Sequence, residues 1–417
     1  MRAVGYLEGC EFFNIFNYFA SREVYPGEIR GESSIARLLR QGKYVEKGRC
    51  ANWCEKYSFP DGRKVFEFYR PNSDAVYLRA VTLGENFLWD YTPEVELVDG
   101  NSLIRRFHSS RDFWAHFIEE VSVEADHVHV FQDASYIEKG DARDKFCALK
   151  KGKRFYNYRI AHGATQVNIR KKDSPAIPSW DNVDEHWKDF TALVFLTNNQ
   201  REHWIASQGH DNRLVVVPHE SGIDDVGYTE RSSDTCVYIT SLTPLKHVDM
   251  AIRAFARVVE NVPSARFEIY GQGGEHQKLE ALIKTLSLES SVFLMGYSIN
   301  AQKALRGAAV SILTSERESF GMPILESYAF SCPVASFDVN YGPHELVEDG
   351  VTGYKVPFGA IDDLAAAIIR TLDKSDSSTR LRRNCYMKSK GFSRERISEI
   401  WSGLIEDAER NRHEGQP

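Results

Sequence analysis

The second half of this chain alternates between short apolar runs, which predict buried strands, and longer amphipathic runs, which predict helices. The first pair is CVYIT and HVDMAIRAFARVV, and the second is ARFEIY and HQKLEALIKTL. Four more strand-like runs follow, SVFLMG, AAVSIL, PVASFD and TGYKV. Because strands that alternate with helices form parallel βαβ units, this half predicts a doubly wound α/β domain.

The first half shows a similar alternation after a different start. From Lys56 to about Leu103 the apolar residues have a period of two, as in KVFEFY and AVYLRAVTL, with the turn signals PDGR and RPNSD between the runs. This pattern predicts an appended antiparallel sheet. Beyond it, SLIRRFHSSRDFWAHFIEEV predicts an amphipathic helix, and DHVHVF, RFYNYRIA, ALVFL and RLVVV predict strands of another α/β domain.

The domain boundary is predicted between about 220 and 233, where SGIDDVGYTERSSD is strongly polar. A length of 417 residues exceeds what one hydrophobic core usually serves, so two domains are expected. The simplest architecture is two doubly wound domains that face a cleft. We expect an N-terminal domain at 1–220 with the β-rich insertion at about 56–103, a C-terminal domain at 221–395, and a C-terminal helix and tail at 396–417.

Composition and charge argue against several classes of protein. Hydrophobic residues make up 42% of the chain and charged residues 27%, as in a soluble globular protein, and no apolar run approaches the ~18 residues of a membrane span. The N-terminus MRAVGYLEGCEFF lacks the pattern of a signal peptide, so a cytoplasmic location is expected. Seven scattered cysteines fit reduced thiols, and Cys50 and Cys54 have no second pair that would complete a zinc site. A net charge of −7 argues against a general nucleic-acid binder.

The run TSERESFGMPILESYAFSCPV, from Thr314 to Val334, has the pattern of a strand-to-helix crossover that carries two acids. An apolar strand leads in, and Pro323 fits the first turn of a helix. Glu318 then lies in the loop after the strand, and Glu326 lies about one turn inside the helix. A helix N-terminus attracts phosphate, and the carboxyl edge of a parallel sheet is where such folds bind ligands. The alternative is an ordinary crossover whose glutamates face water.

Three other loops have the character of ligand-binding strand exits. SLTPLK, from Ser241 to Lys246, joins a strand to a helix, where a lysine either neutralises a phosphate group or is simply solvated. YGQGG, which contains Gly271, ends the next strand with three glycines, which permit either close approach to a ligand or a tight turn. NYGPHELVEDGVTG, from Asn340 to Gly353, is the third such loop.

His162 follows a predicted strand in a segment without acids. From Lys145 to Lys172 there are nine lysines or arginines and no Asp or Glu, although acids are in excess over the whole chain. Such a field would draw a polyanion toward His162. Two alternatives stay open. His162 is a structural histidine, or the basic segment forms a solvated face whose charge is balanced by acids that the fold brings near. The segment from Arg380 to Arg396 is also basic, and its alternatives are contact with anionic lipid or polymer and a solvated helix face.

The second half resembles the donor domain of retaining glycosyltransferases of the GT-B fold, a superfamily that includes glycogen and sucrose synthases. The resemblance rests on ESFGMPILE, SLTPLK, YGQGG and DGVTG, in the family's order and spacing. NYGPHELVEDGVTGYKV, IYGQGG and the loop IAHG are similar to the poly(glycerol-phosphate) and poly(ribitol-phosphate) α-glycosyltransferases of wall teichoic acid, and to the O-GlcNAc transferases of serine-rich adhesins. Those enzymes also carry a β-rich insertion. The N-terminal domain is then the acceptor domain, and the C-terminal domain binds the nucleotide sugar.

The resemblance implies a role for each motif. Catalytic roles fall to Glu318, near the reacting face of the donor sugar, to Lys246, which binds the donor diphosphate, and to His162, which contacts the donor sugar or the acceptor. The remaining nucleotide-sugar-binding positions are Ser241, Gly271, Phe320, Gly321, Met322 and Glu326, the last of these through the ribose hydroxyls. Retaining enzymes of this kind are usually described by front-face attack, so no carboxylate pair is required. No metal and no cofactor are expected, because no Asp-x-Asp element lies in a likely donor loop.

Two positions depart from the family pattern. Ser241 stands where the family usually has an arginine, five positions before Lys246, and a hydroxyl stabilises a diphosphate less than a guanidinium does. The opening residues offer only Gly5 and Gly9 in place of the glycine pair of the family's first loop. Either the chain starts late or it has lost this loop. Both departures favour a second hypothesis, a catalytically silent homologue that activates or chaperones a partner glycosyltransferase.

The leading hypothesis is a retaining α-glycosyltransferase that moves glucose or N-acetylglucosamine from a UDP-sugar to a cell-surface polymer or glycoprotein, with a teichoic-acid-like polyanion favoured. The expected partners are the UDP-sugar, the acceptor, a second copy of the chain or a homologous subunit, and the inner face of the membrane as a peripheral contact. Nucleic acid is not among them. A third hypothesis is a nucleotide-sugar epimerase, which would consume UDP-N-acetylglucosamine without an acceptor.

Overall fold

The computed structural model describes residues 31–51, 54–70, 73–82, 94–108, 112–113, 116, 127–133, 154–161 and 187–413. The chain divides into two compact units. The first comprises Met1–Tyr158 and Asp181–Phe190, and the second comprises Arg159–Trp180 and Thr191–Pro417.

The first unit contains a six-stranded antiparallel sheet in which each strand pairs with the next one along the chain. The strands are β1 (Glu46–Ala51), β2 (Cys54–Ser58), β3 (Lys64–Tyr69), β4 (Val76–Thr82), β5 (Glu94–Asp99) and β6 (Ser102–Phe107). Helix α1 (Ser34–Arg40) precedes the sheet, and the Ser33 hydroxyl caps it by accepting a hydrogen bond from the Ala36 N–H. This sheet confirms the β-rich insertion predicted at about 56–103.

The helix predicted from Ser102 onward is wrong in its first six residues, which form β6. Leu103 and Phe107 are buried, whereas the two arginines before Phe107 are exposed. Gly100, with φ of +58°, and Asn101 form the tight turn through which β6 pairs back onto β5. A Gly-Asn turn between two apolar runs is a hairpin signal, and here the ladder of hydrogen bonds with β5 prevails over the helical spacing of the apolar residues.

Two further strands, β7 (His127–Asp133) and β8 (Arg154–Ala161), correspond to the predicted strands DHVHVF and RFYNYRIA. The rings of His129 and Tyr156 stack with their centroids 4.6 Å apart. The sequence patterns therefore placed both strands correctly.

The second unit contains a parallel βαβ unit. It consists of β9 (Ala192–Phe195), α2 (Asn198–Gln208) and β10 (Leu214–Val216), with β9 and β10 in parallel register. The Thr197 hydroxyl caps α2 by accepting a hydrogen bond from the Gln200 N–H at 3.1 Å. This unit confirms the strand–helix–strand alternation predicted for ALVFLTNNQREHWIAS and RLVVV.

A six-stranded parallel sheet forms the centre of the second unit, with strand order β13-β12-β11-β14-β15-β16. Its strands are β11 (Thr235–Ile239), β12 (Arg266–Tyr270), β13 (Val292–Gly296), β14 (Val310–Leu313), β15 (Val334–Asp338) and β16 (Gly353–Pro357). The order reverses between β11 and β14, as in a doubly wound sheet that binds a ligand at that point. The doubly wound fold predicted after residue 233 is confirmed.

Helices connect and cover these strands. They are α3 (Val248–Asn261), α4 (His276–Thr285), α5 (Met322–Ala329), α6 (Gly342–Leu346), α7 (Ile361–Leu372), α8 (Asp376–Ser389) and α9 (Arg394–His413). Helix α3 packs against α7, and its Phe255 ring lies 5.1 Å from the ring of Phe267 in β12. Both rings are fully buried, as are Val237 and Ile312 in the central strands. This core holds the carboxyl ends of β11 and β14 in place.

The polar segment at 220–233 is bound to the C-terminal helices. The buried Arg382 of α8 donates two hydrogen bonds to the carbonyl of Thr229 and a third, at 2.7 Å, to that of Ala308. Lys390 pairs with Asp225, and the N–H of Ser221 donates to the carbonyl of Phe392 at 3.0 Å. Part of the basic segment from Arg380 to Arg396 therefore has a structural use.

Within the described ranges, no helix combines the length and the apolar character needed to cross a membrane.

Candidate functional site

Two of the predicted site residues, Lys246 and Glu318, lie at the point where the order of the parallel sheet reverses. Lys246 follows β11, and Glu318 follows β14. These two strands are neighbours in the sheet. The site thus lies at the carboxyl edge, where open α/β sheets bind their ligands.

The turn that carries Lys246 is fixed by hydrogen bonds to its backbone. The carbonyl of Lys246 accepts one from the hydroxyl of Tyr238 at 3.0 Å and one from the hydroxyl of Thr314 at 2.9 Å. The Thr314 hydroxyl also lies 2.9 Å from the carbonyl of His247, whose φ of +45° is in the left-handed region. A non-glycine residue there costs about 1–2 kcal/mol, so these bonds have to stabilise the turn.

Lys246 and Glu318 form an ion pair. The ammonium of Lys246 donates to Oε1 of Glu318, and the hydroxyl of Ser315 donates to the same oxygen at 2.8 Å. Both charged side chains are partly buried. The carboxylate is therefore held in one orientation beside the cation, where a phosphate and a sugar hydroxyl could both be bound.

The main chain of Glu318 is held by the loop that follows β15. Its N–H donates to the carbonyl of Asn340 at 3.2 Å, and its carbonyl accepts from the N–H groups of Tyr341 at 2.5 Å and Gly342 at 3.2 Å. Gly342 is needed there, because a Cβ would lie 1.6 Å from the carbonyl oxygen of Phe320. The NYGP motif therefore serves to hold the acid of the neighbouring loop.

Gly321 begins helix α5 with φ of +90°, and Pro323 lies in its first turn, as the sequence predicts. The N–H groups of Gly321 and Met322 thus belong to the N-terminal end of the helix, whose partial positive charge favours an anion. The ring of Phe320 is buried and packs edge-on against His219, with the centroids 5.4 Å apart. The ring of Phe320 is thus used in packing, so its predicted role in binding the nucleotide sugar would fall to its backbone.

Glu326 lies on α5 and is partly buried. Burial raises the pKa of its carboxyl group above the ordinary value. A protein keeps an acid in such a place at a cost in stability, which is common where the acid has a functional use.

The glycines of YGQGG face the backbone of the SLTPLK loop. A Cβ on Gly271, whose φ is +146°, would lie 1.7 Å from the carbonyl oxygen of Thr240, and one on Gly273 would lie 2.2 Å from that of Leu242. Hydrogen bonds join the two loops, including one from the N–H of Leu242 to the carbonyl of Gln272 at 3.0 Å. The sequence predicted close approach to a ligand or a tight turn for these glycines. The contacts seen are with the protein's own backbone, and they place the loop of Lys246.

The remaining candidates are placed as follows. Ser241 is exposed, and its carbonyl accepts a hydrogen bond from the N–H of Thr243 at 2.9 Å. His162 lies outside the described residues, as do Gly5 and Gly9.

Sequence reasoning did not single out Tyr238, Thr314, Ser315 or Tyr341 as residues that shape the site. A signal existed for Tyr238, because a hydroxyl in the apolar strand CVYIT needs a buried partner. Thr314, Ser315 and Tyr341 lie within runs that were recognised, but the partners of Thr314 and Tyr341 are distant in the sequence.

Comparison with known proteins agrees with this geometry. Residues 229–388 match the family described as "Glycosyl transferases group 1". This segment is a group 1 glycosyltransferase domain. The domain contains every site residue predicted here except His162. The recognition made from ESFGMPILE, SLTPLK and YGQGG is therefore confirmed for this part of the chain.

Two curated proteins are similar to this chain over the group 1 domain and the residues that flank it. The poly(glycerol-phosphate) alpha-glucosyltransferase of Bacillus subtilis (strain 168) is 27% identical over 261 residues, covering 61% of this chain and 38% of the relative. The poly(ribitol-phosphate) alpha-N-acetylglucosaminyltransferase of Staphylococcus aureus (strain COL) is 31% identical over 227 residues, covering 54% of this chain and 45% of the relative. The matched part spans less than half the length of these relatives.

A solved structure extends the likeness over most of the chain. It is a mutant of S. aureus TarM in complex with Fondaparinux, alpha-GlcNAc-glycerol and UDP, at a TM-score of 0.65 and 18% identity, with 94% of this chain and 86% of that chain covered. The likeness shows the GT-B fold, which confirms the predicted fold class.

Proposed function

We propose that this protein is a retaining α-glycosyltransferase that transfers glucose or N-acetylglucosamine from a UDP-sugar to a polyanionic cell-surface polymer. The observation that carries the proposal is the ion pair of Lys246 and Glu318 at the switch point of a group 1 domain. The names of the two curated relatives supply the sugar and the polymer, and the UDP in the TarM complex supplies the nucleotide.

Each site residue has a task in this reaction. Lys246 and the N–H groups of Gly321 and Met322 neutralise the diphosphate, which gains negative charge as it departs. Glu318 binds the donor sugar near its anomeric carbon, and Glu326 binds the ribose hydroxyls. His162 and Ser241 take their predicted roles beside the sugar and the diphosphate, and Gly271 serves the diphosphate through its packing against the loop that carries Lys246.

The reaction breaks the bond between the anomeric carbon and the diphosphate oxygen. A bond from the acceptor hydroxyl oxygen to the same face of that carbon replaces it, and the hydroxyl proton passes to the departing diphosphate. The α configuration is then kept without a carboxylate nucleophile. Lys246 lowers the barrier because a fixed cation costs no reorganisation while the charge develops.

The test measures UDP release by the purified chain with UDP-glucose and with UDP-N-acetylglucosamine, each with and without poly(glycerol phosphate) or poly(ribitol phosphate). We expect release that depends on the polymer and continues in excess EDTA, and an α-linked product by NMR. Lys278→Ala, an exposed lysine of α4, is the matched control for Lys246→Ala. Absence of both UDP release and UDP binding would contradict the proposal, and consumption of UDP-N-acetylglucosamine without polymer would favour the epimerase.

The domain roles are part of the same proposal. We assign the acceptor to 1–220, the nucleotide sugar to 221–395, and the tail to 396–417. A glycoprotein acceptor, a second copy or homologous subunit, and a peripheral membrane contact remain predictions. Sedimentation of the chain with anionic vesicles, and its mass in solution, measure the last two directly.

A further inference from the structure

Helix α2 contacts the loop that holds Glu318. The carboxylate of Glu345 accepts hydrogen bonds from the N–H of Asn198 at 3.1 Å and from the N–H of Asn199 at 2.8 Å. The side-chain amide of Asn199 also donates to the side-chain oxygen of Asn340 at 2.7 Å. The N-terminal turn of α2 is therefore bound to the 340–345 segment through the carboxylate of Glu345 and through the side-chain amides of Asn199 and Asn340.

A second contact lies one turn further along α2. Nδ1 of His203 is 3.2 Å from the hydroxyl of Tyr341, and their rings pack edge to face with centroids 5.2 Å apart. His203 is 3% exposed and Tyr341 is fully buried. Both polar groups are buried, and a hydrogen bond of this kind contributes about 0.5–1.5 kcal/mol, so the pair favours a single position of the tyrosine ring.

Tyr341 connects this pair to the site. Its N–H is the 2.5 Å donor to the carbonyl of Glu318, so the position of its ring and the position of the acid are joined through one residue. From these contacts we propose that His203 and Tyr341 are positioning residues, which set the orientation of Glu318 toward the donor sugar from helix α2. The inference rests on the proposed function, because only glycosyl transfer makes that orientation matter.

The expected effect follows from the geometry. A displacement of a reacting group by about 1 Å can lower a rate by roughly 100-fold. Removal of a single hydroxyl loosens the loop without removing it, so Tyr341→Phe should lower kcat about tenfold. The affinity for UDP should change less than about twofold, because the diphosphate is bound by Lys246 and the start of α5. A merely structural role would change both constants together or neither.

The experiment compares Tyr341→Phe, His203→Leu and His203→Asn with the wild-type chain. The amide of asparagine can take the place of Nδ1, so His203→Asn should restore more than half of the kcat that His203→Leu loses. Glu202→Gln, on the exposed face of α2, is the matched control. Each variant is measured for kcat and KM in UDP release, for the Kd of UDP, for Tm, and for hydrogen exchange of the peptide that covers 340–345.

The inference holds if kcat falls, the Kd of UDP stays, and the amides of 340–345 exchange about tenfold faster in Tyr341→Phe and His203→Leu. It is overturned if either kcat or the exchange rate is unchanged in both variants, or if the Kd of UDP rises as much as kcat falls. Failure of the proposed function has a different signature. In that case the wild-type chain itself neither binds UDP nor releases it from a UDP-sugar, while the exchange rates still show whether α2 holds Tyr341.

Discussion

Lys246 and Glu318 stand 72 positions apart in the sequence, yet their side chains form an ion pair at the carboxyl edge of the parallel sheet. The reversal of strand order between β11 and β14 is what makes their loops neighbours. A phosphate that binds Lys246 therefore has to share the cation with a carboxylate. This arrangement fits a ligand that is anionic at one end and carries hydroxyl groups at the other, such as a nucleoside diphosphate sugar.

Charge reversal at Lys246 tests the diphosphate contact most directly. We expect Lys246→Ala to weaken UDP binding at least tenfold, or about 1.4 kcal/mol, because a charge-assisted hydrogen bond is lost. Lys246→Glu should weaken it further, since it also places a second carboxylate beside Glu318. Calorimetric titration with UDP measures both, and wild-type affinity in Lys246→Glu would contradict the site.

A comparison of Gly271 with Gly274 tests whether the close contact of Gly271 with the neighbouring loop stabilises the fold. In Gly271→Ala the new methyl group would overlap the carbonyl of Thr240, and we expect a loss of at least ~2 kcal/mol of unfolding free energy. Gly274→Ala is the matched control, because nothing lies within 4 Å of its Cβ position. It should change stability by less than about 0.5 kcal/mol. Urea unfolding compares the two, and equal losses would show that the contact of Gly271 is unimportant.

The raised pKa of the Glu326 carboxyl group leads us to expect that the free energy of unfolding depends on pH. Its folded pKa is raised by burial, so its contribution to stability is fully present below the unfolded pKa near 4.5 and is lost as the pH rises through the folded value. Glu326→Gln should therefore raise Tm at pH 7.5 and leave it nearly unchanged at acidic pH.

The same variant should weaken binding of UDP-sugars if the acid holds the ribose. Thermal melts at several pH values and calorimetry measure the two effects separately. A Tm difference that does not depend on pH would show that the charge of Glu326 is not the cause.

Ser241 tests whether the chain is active as it stands. Ser241→Arg would supply a second cation to the diphosphate, and we expect UDP to bind about 5–10-fold more tightly, since a bidentate guanidinium binds phosphate better than a hydroxyl does. The wild-type chain should already release UDP. If only Ser241→Arg does so, the native protein is better described as the silent partner of an active enzyme. Ser241→Lys is the control, because it adds a positive charge without the planar guanidinium that binds phosphate through two hydrogen bonds.

Sequence reasoning was most successful for long periodic segments and least successful at a tight hairpin. The strands from CVYIT to TGYKV and the helix led by Pro323 were predicted correctly, because alternation and a proline in the first turn are local signals. The apolar spacing of Ser102–Phe107 fits both a helix and a strand, so the predicted helix is wrong there, and the Gly100–Asn101 turn is the local signal for the hairpin that forms instead. The roles of the site residues stay predictions until the experiments above are done.

The sequence by itself determined the alternation of strands and helices, the group 1 motifs and the residue types that a diphosphate requires, because each depends on neighbours within a few positions. Only the tertiary structure decided which loops meet. The pairing of Lys246 with Glu318, the seat of Gly342 against Phe320, and the contact of His203 with Tyr341 join residues that the chain separates widely. Such contacts depend on strand order and on packing of whole elements, and no local pattern of residues encodes them.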